Sequence, residues 1–293
     1  MTSVTIVNVL AALAAVQCVL ALPLEKPLQP EYAQVEDLSE LGELKATDLE
    51  AFLKEVQNPW ERSGKFEGDI VLDAGQRNGL INPTLHWHKV NGFVDLPYEI
   101  VSNQFTVDQI AAIHRGIEEF HQRTCIRLRP RTASDRDYVR VQGLNSGCWS
   151  MVGRRGRVQD LNLQPGVPGS GCFRHGTIVH EFLHALGFYH EQSSSDRDDY
   201  VTIVWANIQA GTENNFAKHS ASTVTNYGIG YDYDSVLHYG PFAFSINGEM
   251  TIVPHDPTAV LGQRVAMSEK DVLKLNTMYQ CNPWLAQDRD QDK

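Results

Sequence analysis

The segment HEFLHALGFYHE, residues 180–191, constrains the fold more than any other feature of this 293-residue chain. It places three histidines and two glutamates in an otherwise apolar stretch that is typical of a buried helix. On an α-helix, His180 and His184 lie one turn apart on the same face. Gly187 lets the backbone leave helical geometry, so that His190 can turn toward the first two histidines. The pattern therefore predicts three imidazoles that meet at one point.

Such a cluster is typical of a zinc site. Two neutral imidazoles at this spacing can share a Zn²⁺, with about 2.0–2.1 Å to each nitrogen. Glu181 is placed to take a proton from water that attacks a carbonyl at the metal. Three histidines leave a fourth position open, whereas structural zinc sites usually fill all four with Cys and His. The shorter pattern HExxH also occurs on ordinary amphipathic helices, but Gly187 and His190 favour the metal site.

The first 24 residues carry no charged side chain. The run VTIVNVLAALAAVQCVLA, followed by Leu22 and Pro23, predicts a secretory signal peptide over residues 1–21. The alternative is an uncleaved anchor helix, because the run is nearly long enough to span a bilayer. We expect a secreted, extracellular protein without a membrane segment once the signal is removed. Cys18 lies inside the signal, and the other four cysteines predict two disulfides, with three pairings open.

Residues 22–77 are acidic, with 13 Asp and Glu against 6 Lys and Arg. They end in GQRNG, which places Arg77 in a glycine-flanked loop that suits an activating trypsin-like protease. We interpret residues 22–77 as a pro-segment and residues 78–293 as the catalytic domain. The alternative for the acidic segment is a flexible N-terminal extension. The larger part is nearly balanced in charge, so we expect no nucleic-acid partner.

Periodicity also predicts the main elements of the larger part. A helix follows the capping-box pair Thr106 and Gln109, a second contains the histidine motif, and a third begins at Ser268. Short strands are predicted at residues 96–100, 126–131, 138–143 and 148–153.

Several segments besides the histidine motif match one family pattern. The stretches HEFLHALGFYHEQSSSDRD, TCIRLRPRT, GCWSMVGR, YDYDSVLHYG and MSEKDVLKLNTMYQC resemble the astacin family of metalloendopeptidases, in the metzincin group. The resemblance covers about residues 85–281. It implies an α+β, zincin-like fold. A twisted, mostly-strand sheet with two helices would form an N-terminal subdomain, and an irregular C-terminal subdomain would carry a terminal helix, with the active-site cleft between. It also implies one Zn²⁺ per chain and protein or peptide substrates, and we expect a monomer.

The resemblance implies roles for the histidine motif and for one tyrosine. The zinc ligands would be His180, His184 and His190, and Glu181 would be the general base. Tyr239, in SVLHYG, would lie near the metal and stabilise the oxyanion, because a phenol can donate to a developing negative charge. The alternative for this tyrosine is a packed aromatic side chain.

The other implied roles concern activation and the disulfides. Asp69, in FEGDI, would occupy the open zinc position of the zymogen; an ordinary acidic turn is the alternative. Glu191 would receive the new amino terminus after the cut at Arg77; a plain surface carboxylate is the alternative. The implied disulfides are Cys125–Cys281 and Cys148–Cys172.

The chain departs from the family pattern at Leu237, where members normally carry Met under the zinc site. Leucine is apolar and of similar volume, and such exchanges usually cost less than about 1.5 kcal/mol, so we predict an active enzyme. Arg264, in LGQR, matches a position that lines the substrate pocket in some members. It would favour an acidic residue just after the cut, whereas a surface or salt-bridged arginine is the alternative.

Two other functions are compatible with a zinc motif. The first is a zinc-binding interaction protein without catalysis, a hypothesis that Glu181 and Tyr239 argue against. The second is another zinc hydrolase, such as an exopeptidase or amidase. An exopeptidase needs a pocket for the chain terminus, and the sequence has no motif for one.

Overall fold

The computed structural model describes residues 63–72 and 82–281. The predicted signal peptide, most of the predicted pro-segment and the predicted cut after Arg77 lie outside these residues. Within the described ranges, no helix is both long and apolar enough to cross a membrane.

Strands dominate the first half of the described chain, and irregular structure dominates the second. The strands and α-helices are β1 (Ile70–Val71), β2 (Lys89–Val90), β3 (Phe93–Ile100), α1 (Val107–Arg123), β4 (Ile126–Pro130), β5 (Tyr138–Gln142), β6 (Cys148–Met151), β7 (Val158–Leu163), α2 (His175–Leu186), β8 (Val201–Ile203), β9 (Ile252–Pro254) and α3 (Glu269–Met278). Short 3-10 turns connect them at Pro83–Leu85, Ser102–Gln104, Gly171–Phe173, Glu191–Ser193, Arg197–Asp199, Trp205–Asn207 and Glu213–Phe216.

Seven strands form one mixed sheet in the order β1-β6-β7-β5-β3-β2, and β4 also pairs with β3. The pairs β3–β4, β3–β5 and β5–β7 are parallel, whereas β2–β3 and β6–β7 are antiparallel. Strand β1 lies at the edge and pairs in parallel with β6, with Ile70 opposite Ser150 and Val71 opposite Met151. A segment that precedes the predicted cut therefore completes the sheet.

The helices α1 and α2 pack against each other and bury apolar faces in the core shared with the sheet. A capping box begins α1, because Thr106 and Gln109 each accept a hydrogen bond from the other's backbone N–H. The two helices come close at Gly116, where a Cβ would lie 2.6 Å from Cγ2 of Ile178. A glycine is needed here because any side chain would force the helices apart.

The chain after α2 has a second hydrophobic cluster of its own. It includes the antiparallel pair β8–β9 and the side chains of Phe216, Tyr239 and Phe244. The helix α3 then returns to the first core, where Leu275 is fully buried. The result is a sheet-containing N-terminal part and an irregular C-terminal part that ends in a helix, so the expected α+β fold is confirmed.

Sequence patterning missed β7 and the pair β8–β9. In β7, Gln159 and Asn162 are buried although they are polar. Their side-chain amides donate to the backbone oxygens of Gly153 and Gly147, at 2.8 and 2.6 Å. Buried amides that bond to loop backbone break the apolar alternation by which a strand is identified. The pair β8–β9 has only three residues in each strand, which is too short for a periodic signal.

Candidate metal centre

The helix α2 carries His180, Glu181 and His184 on buried turns. It ends at Gly187, whose φ of 115° is in the left-handed region that favours glycine. The backbone N–H of Gly187 donates to the His184 carbonyl at 2.7 Å, and this bond closes the last turn of the helix. The chain then changes direction and brings His190 back beside the helix, as the spacing of the motif predicts.

The three imidazoles meet through their Nε2 atoms. The Nε2 of His180 lies 3.0 Å from that of His184 and 3.3 Å from that of His190. All three side chains are almost fully buried. Two nitrogens bound tetrahedrally to one Zn²⁺ at about 2.0 Å would be about 3.3 Å apart, so the spacing fits a shared ion.

The opposite ring nitrogens decide the tautomers. Nδ1 of His180 lies 2.7 Å from the Val236 carbonyl, and Nδ1 of His184 lies 2.6 Å from the Phe188 carbonyl. A carbonyl only accepts, so each Nδ1 donates and each Nε2 of a neutral ring keeps its lone pair. Burial lowers the pKa of His180 to about 3, which favours this neutral form. These partners direct both Nε2 atoms toward the shared point, as carbonyl acceptors commonly do for metal-binding histidines.

Asp69 adds a carboxylate to the same point. Its Oδ2 lies 3.0 Å from Nε2 of His180, and its Oδ1 lies 3.4 and 3.2 Å from Nε2 of His184 and His190. Asp69 is fully buried, and its Oδ1 accepts no hydrogen bond from the described residues. The four side chains form a group that could hold a metal ion. Three imidazoles and one carboxylate are a donor set that suits tetrahedral zinc.

Glu67 bonds to the outer nitrogen of the third histidine. Its Oε2 accepts from Nδ1 of His190 at 2.8 Å, and its Oε1 accepts from Nε2 of His219 at 2.6 Å. Burial alone would raise the pKa of Glu67, but the hydrogen bonds from His190 and His219 outweigh it and lower the pKa to about 2. Burial also opposes charge on His190, but Asp69 and Glu67 raise its pKa to about 9. Asp69 and Glu67 thus favour a positive charge at the imidazole of His190.

Glu181 is fully buried, and neither carboxylate oxygen has a hydrogen-bond partner among the described residues. Burial, and after it the charge of Asp69, raises the pKa of Glu181 well above its usual value. A carboxyl group with a raised pKa and no fixed partner is suited to accept and release a proton.

Tyr239 lies against the third histidine, with 4.7 Å between the ring centroids. Its hydroxyl donates to the backbone carbonyl of Glu67 at 2.6 Å. Its backbone N–H donates to Oε1 of Gln192 at 3.0 Å, which fixes the end of the turn. The phenol therefore points toward the segment that contains Asp69.

Hydrogen bonds to Asp271 of α3 hold the turn Ser235–Tyr239 in place. Asp271 accepts from the Ser235 hydroxyl at 2.6 Å and from the Val236 N–H at 2.9 Å. The Val236 carbonyl accepts from His180, so α3 is connected to His180 through two hydrogen bonds. Leu237 is buried in the first hydrophobic core, and its carbonyl accepts from the Glu191 N–H at 3.3 Å.

Glu191 is buried and already has a cationic partner. Its Oε1 accepts from Nζ of Lys274 at 2.6 Å and from the backbone N–H of Asp232 at 2.8 Å. Burial raises the pKa of Glu191 to about 7 in spite of Lys274. A cavity of about 180 Å³, lined in part by Ser193 and Asn226, adjoins the pair. Sequence reasoning missed Lys274, because helix periodicity alone would assign it to a solvated face.

Arg264 is buried beside the start of α2. Its Nη1 donates to the carbonyls of His238 and Gln263, at 3.0 and 2.8 Å. Its backbone packs so tightly on Gly176 that a Cβ there would lie 2.2 Å from the Arg264 carbonyl carbon. A role in substrate selection stays a prediction for this arginine.

The remaining sequence predictions concern β6 and the cysteines. Strand β6, predicted at residues 148–153, is paired with β1, and the Ser150 N–H donates to the Asp69 carbonyl at 2.9 Å. The described chain has the disulfides Cys125–Cys281 and Cys148–Cys172. The first joins Cys125, between α1 and β4, to Cys281, which lies shortly after α3. The second joins β6 to the turn before α2.

Comparison with known proteins agrees with this geometry. The family model Astacin (Peptidase family M12A) matches residues 82–280. Zinc metalloproteinase nas-13 of Caenorhabditis elegans is 41% identical over 211 residues, which are 72% of this chain and 44% of that protein. Human meprin A subunit beta is 41% identical over 225 residues, 75% of this chain and 30% of that protein. The chain thus spans less than half the length of either relative.

A solved structure matches over nearly its whole length. High choriolytic enzyme 1, a hatching enzyme zinc-protease from the medaka fish Oryzias latipes, is 40% identical, with a TM-score of 0.63. The match covers 68% of this chain and 96% of that one. The expected family is confirmed: the chain belongs to the astacin family of zinc metalloproteinases, peptidase family M12A.

Proposed function

We propose that this chain is a secreted zinc endopeptidase, made as a zymogen, that hydrolyses internal peptide bonds. The observation that carries the proposal is the meeting of three Nε2 atoms with the Asp69 carboxylate, beside a buried Glu181. In this proposal residues 1–21 are the signal peptide, residues 22–77 the pro-segment and residues 78–293 the catalytic domain. Protein or peptide substrates and extracellular location belong to the same proposal.

The ligands in this proposal are His180, His184 and His190. Zinc held there would lower the pKa of water and polarise the scissile carbonyl. Glu181 accepts the proton of the attacking water and passes it to the leaving amine. The Tyr239 hydroxyl, freed from the Glu67 carbonyl when the pro-segment leaves, donates to the developing oxyanion. The edge of β6 then binds the substrate backbone by strand pairing.

The pro-segment blocks three parts of this machinery together. Asp69 occupies the metal site, the Glu67 carbonyl engages Tyr239, and β1 covers the edge of β6. A cut after Arg77 by a trypsin-like protease would release the segment. The new amino terminus at Asn78 would enter beside Glu191, where it shares the carboxylate with Lys274 rather than replacing a missing cation.

The test is peptidase activity of the zinc-loaded chain before and after limited tryptic nicking, with Glu181→Gln in parallel. We expect cleavage of end-blocked peptides only after nicking, and a loss of about 10²–10⁴-fold in the variant with zinc retained. A folded, zinc-bound and correctly nicked protein without activity would favour the non-catalytic interaction protein. Activity only on peptides with free ends would favour an exopeptidase.

A further inference from the structure

The carboxylate of Glu67 is held at both oxygens by imidazoles from the other side of the predicted cut. His190 binds one oxygen at 2.8 Å and His219 binds the other at 2.6 Å. Glu67 is fully buried, and the His219 side chain is only 15% exposed. Two ring nitrogens that face one buried carboxylate form a binding site for that group.

The backbone at Glu67 adopts a conformation that this residue type disfavours. Its φ of 45° is in the left-handed region, which is unfavourable for a residue with a Cβ. Gly68 follows with a φ of 79°, so the chain turns sharply between Glu67 and Asp69. This turn directs both carboxylates inward. The contacts of the Glu67 side chain are therefore strong enough to offset a local cost.

His219 is held by contacts that do not involve the pro-segment. Its backbone N–H donates to the Ser193 carbonyl at 2.8 Å, and its ring lies 4.3 Å from that of Tyr189, between centroids. His190 is likewise held by the turn after α2. We therefore expect the two donors to keep their places when the pro-segment leaves. Removal of Glu67 takes away the carboxylate that both ring nitrogens bind, and an acidic ligand can restore these charge-assisted hydrogen bonds.

We propose that His219 and Nδ1 of His190 form a carboxylate-binding subsite, filled by Glu67 in the uncut chain and by an acidic substrate side chain afterwards. The inference rests on the proposed function, because it requires removal of the pro-segment. An amide of the same shape offers one acceptor oxygen where the subsite has two donors, so glutamine is bound less tightly than glutamate. His219 is then a specificity-determining residue, separate from Arg264.

The catalytic test uses the nicked, zinc-loaded full chain and peptide pairs that differ by Glu or Gln at one position. The Glu or Gln residue is placed in turn at each position on both sides of the cleaved bond. We expect at least one position where Glu raises kcat/KM by about tenfold or more. His219→Phe keeps the ring against Tyr189 but removes the donor. It should reduce that ratio below about threefold, because cleavage of the Glu peptide falls more than cleavage of the Gln peptide.

Two control variants accompany this measurement. His219→Gln retains an N–H donor and should keep part of the preference, whereas His255→Phe, at an exposed histidine in the C-terminal part, should keep all of it. No position with an acidic preference would overturn the proposal. A preference that survives His219→Phe would also overturn it, and would point to Arg264.

A binding test does not depend on catalysis. A labelled peptide of residues 63–72, and its Glu67→Gln version, are titrated into the nicked protein and followed by fluorescence anisotropy. We expect Glu67→Gln in the peptide to weaken binding to the unmodified protein by about tenfold or more. With the His219→Phe protein the same peptide change should weaken binding by less than about threefold. An equal loss with both proteins would contradict the subsite. An inactive protein would refute the peptidase proposal and still leave this test decisive.

Discussion

Leu237 lies in the turn that carries both the carbonyl acceptor for His180 and the side chain of Tyr239. It is buried in the core that also contains Ala185 and Leu186 of α2. At such a position the side chain acts through its volume and shape, and no atom of leucine or methionine needs a polar partner. We therefore expect the departure from the family pattern to affect packing under the site and to leave its chemistry unchanged.

We expect Leu237→Met to change the free energy of unfolding by less than about 1.5 kcal/mol and activity per bound zinc by less than about threefold. Leu237→Ala removes volume without replacing it, and should cost about 2–5 kcal/mol. Urea unfolding and the zinc content of nicked protein measure both effects. A large gain of activity per zinc in Leu237→Met would mean that the methionine has a role beyond packing.

At the scale of elements, the site depends on how α2 ends and on what holds its start. The end is the left-handed turn at Gly187, which sends the chain back toward the helix. At the start, Glu119 of α1 accepts hydrogen bonds from His175 at 2.7 Å, from Arg123 at 3.0 Å and from the Met267 N–H at 2.8 Å. The buried Glu119 carboxylate thus joins α1, α2 and the segment just before α3.

Gly187→Ala should lower the stability of the chain by about 1–2 kcal/mol, because alanine is strained at a φ of 115°. It should also weaken zinc binding, since His190 follows the turn. Gly166→Ala is the control, because a Cβ there meets nothing within 4 Å and no left-handed φ is required. Thermal unfolding and competition with a zinc chelator measure the two effects. Equal behaviour of the two variants would contradict this account of the turn.

Glu119 also predicts a pH dependence. Burial alone would raise its pKa, but hydrogen bonds from His175, Met267 and Arg123 outweigh burial and hold the pKa below the usual 4.5. A carboxyl group whose pKa is lowered by folding stabilises the fold above its unfolded pKa, and that contribution is lost as pH falls through the folded value. Glu119→Gln should therefore be less stable than the original chain at pH 6–7, by a margin that shrinks below about pH 4.5.

The neighbouring Glu118 is the matched control, because its side chain is more than half exposed. Glu118→Gln should change the free energy of unfolding by no more than about 0.5 kcal/mol at either pH. Urea unfolding at pH 7 and pH 4 measures both variants. A constant deficit for Glu119→Gln across this range would mean that the loss comes from packing and not from the charge.

At the scale of the whole molecule, local patterns were predictable and long-range pairs were not. The i, i+4 spacing of His180 and His184 predicted that their imidazoles meet, because helix geometry is local. The partners Glu67 and His219 are 152 residues apart in sequence, and Glu191 and Lys274 are 83 apart. Each looks like an ordinary polar residue in its own segment. Only the folded chain brings each pair together, since a sequence pattern carries no record of which distant groups meet.

Glu67 lies in the FEGDI motif, yet its partners could not be predicted from that motif. The pattern FEGDI predicted a role for Asp69 alone, and the glutamate two residues earlier had no predicted role. Its partners are His190, the third histidine of the motif, and His219, in a loop after α2. The segment before the predicted cut is therefore bound by more groups than the family pattern implies.

We propose that Asp69 occupies the metal position of the uncut chain. The most direct test is the visible absorption spectrum of the Co²⁺-substituted protein, which reports the ligands and geometry of the metal. It is recorded for the uncut chain, for the uncut Asp69→Ala chain and for the nicked chain. We predict that Asp69→Ala shifts the spectrum of the uncut chain to that of the nicked one. Identical spectra for the uncut original chain and Asp69→Ala would contradict the claim, because the carboxylate would then not be a ligand.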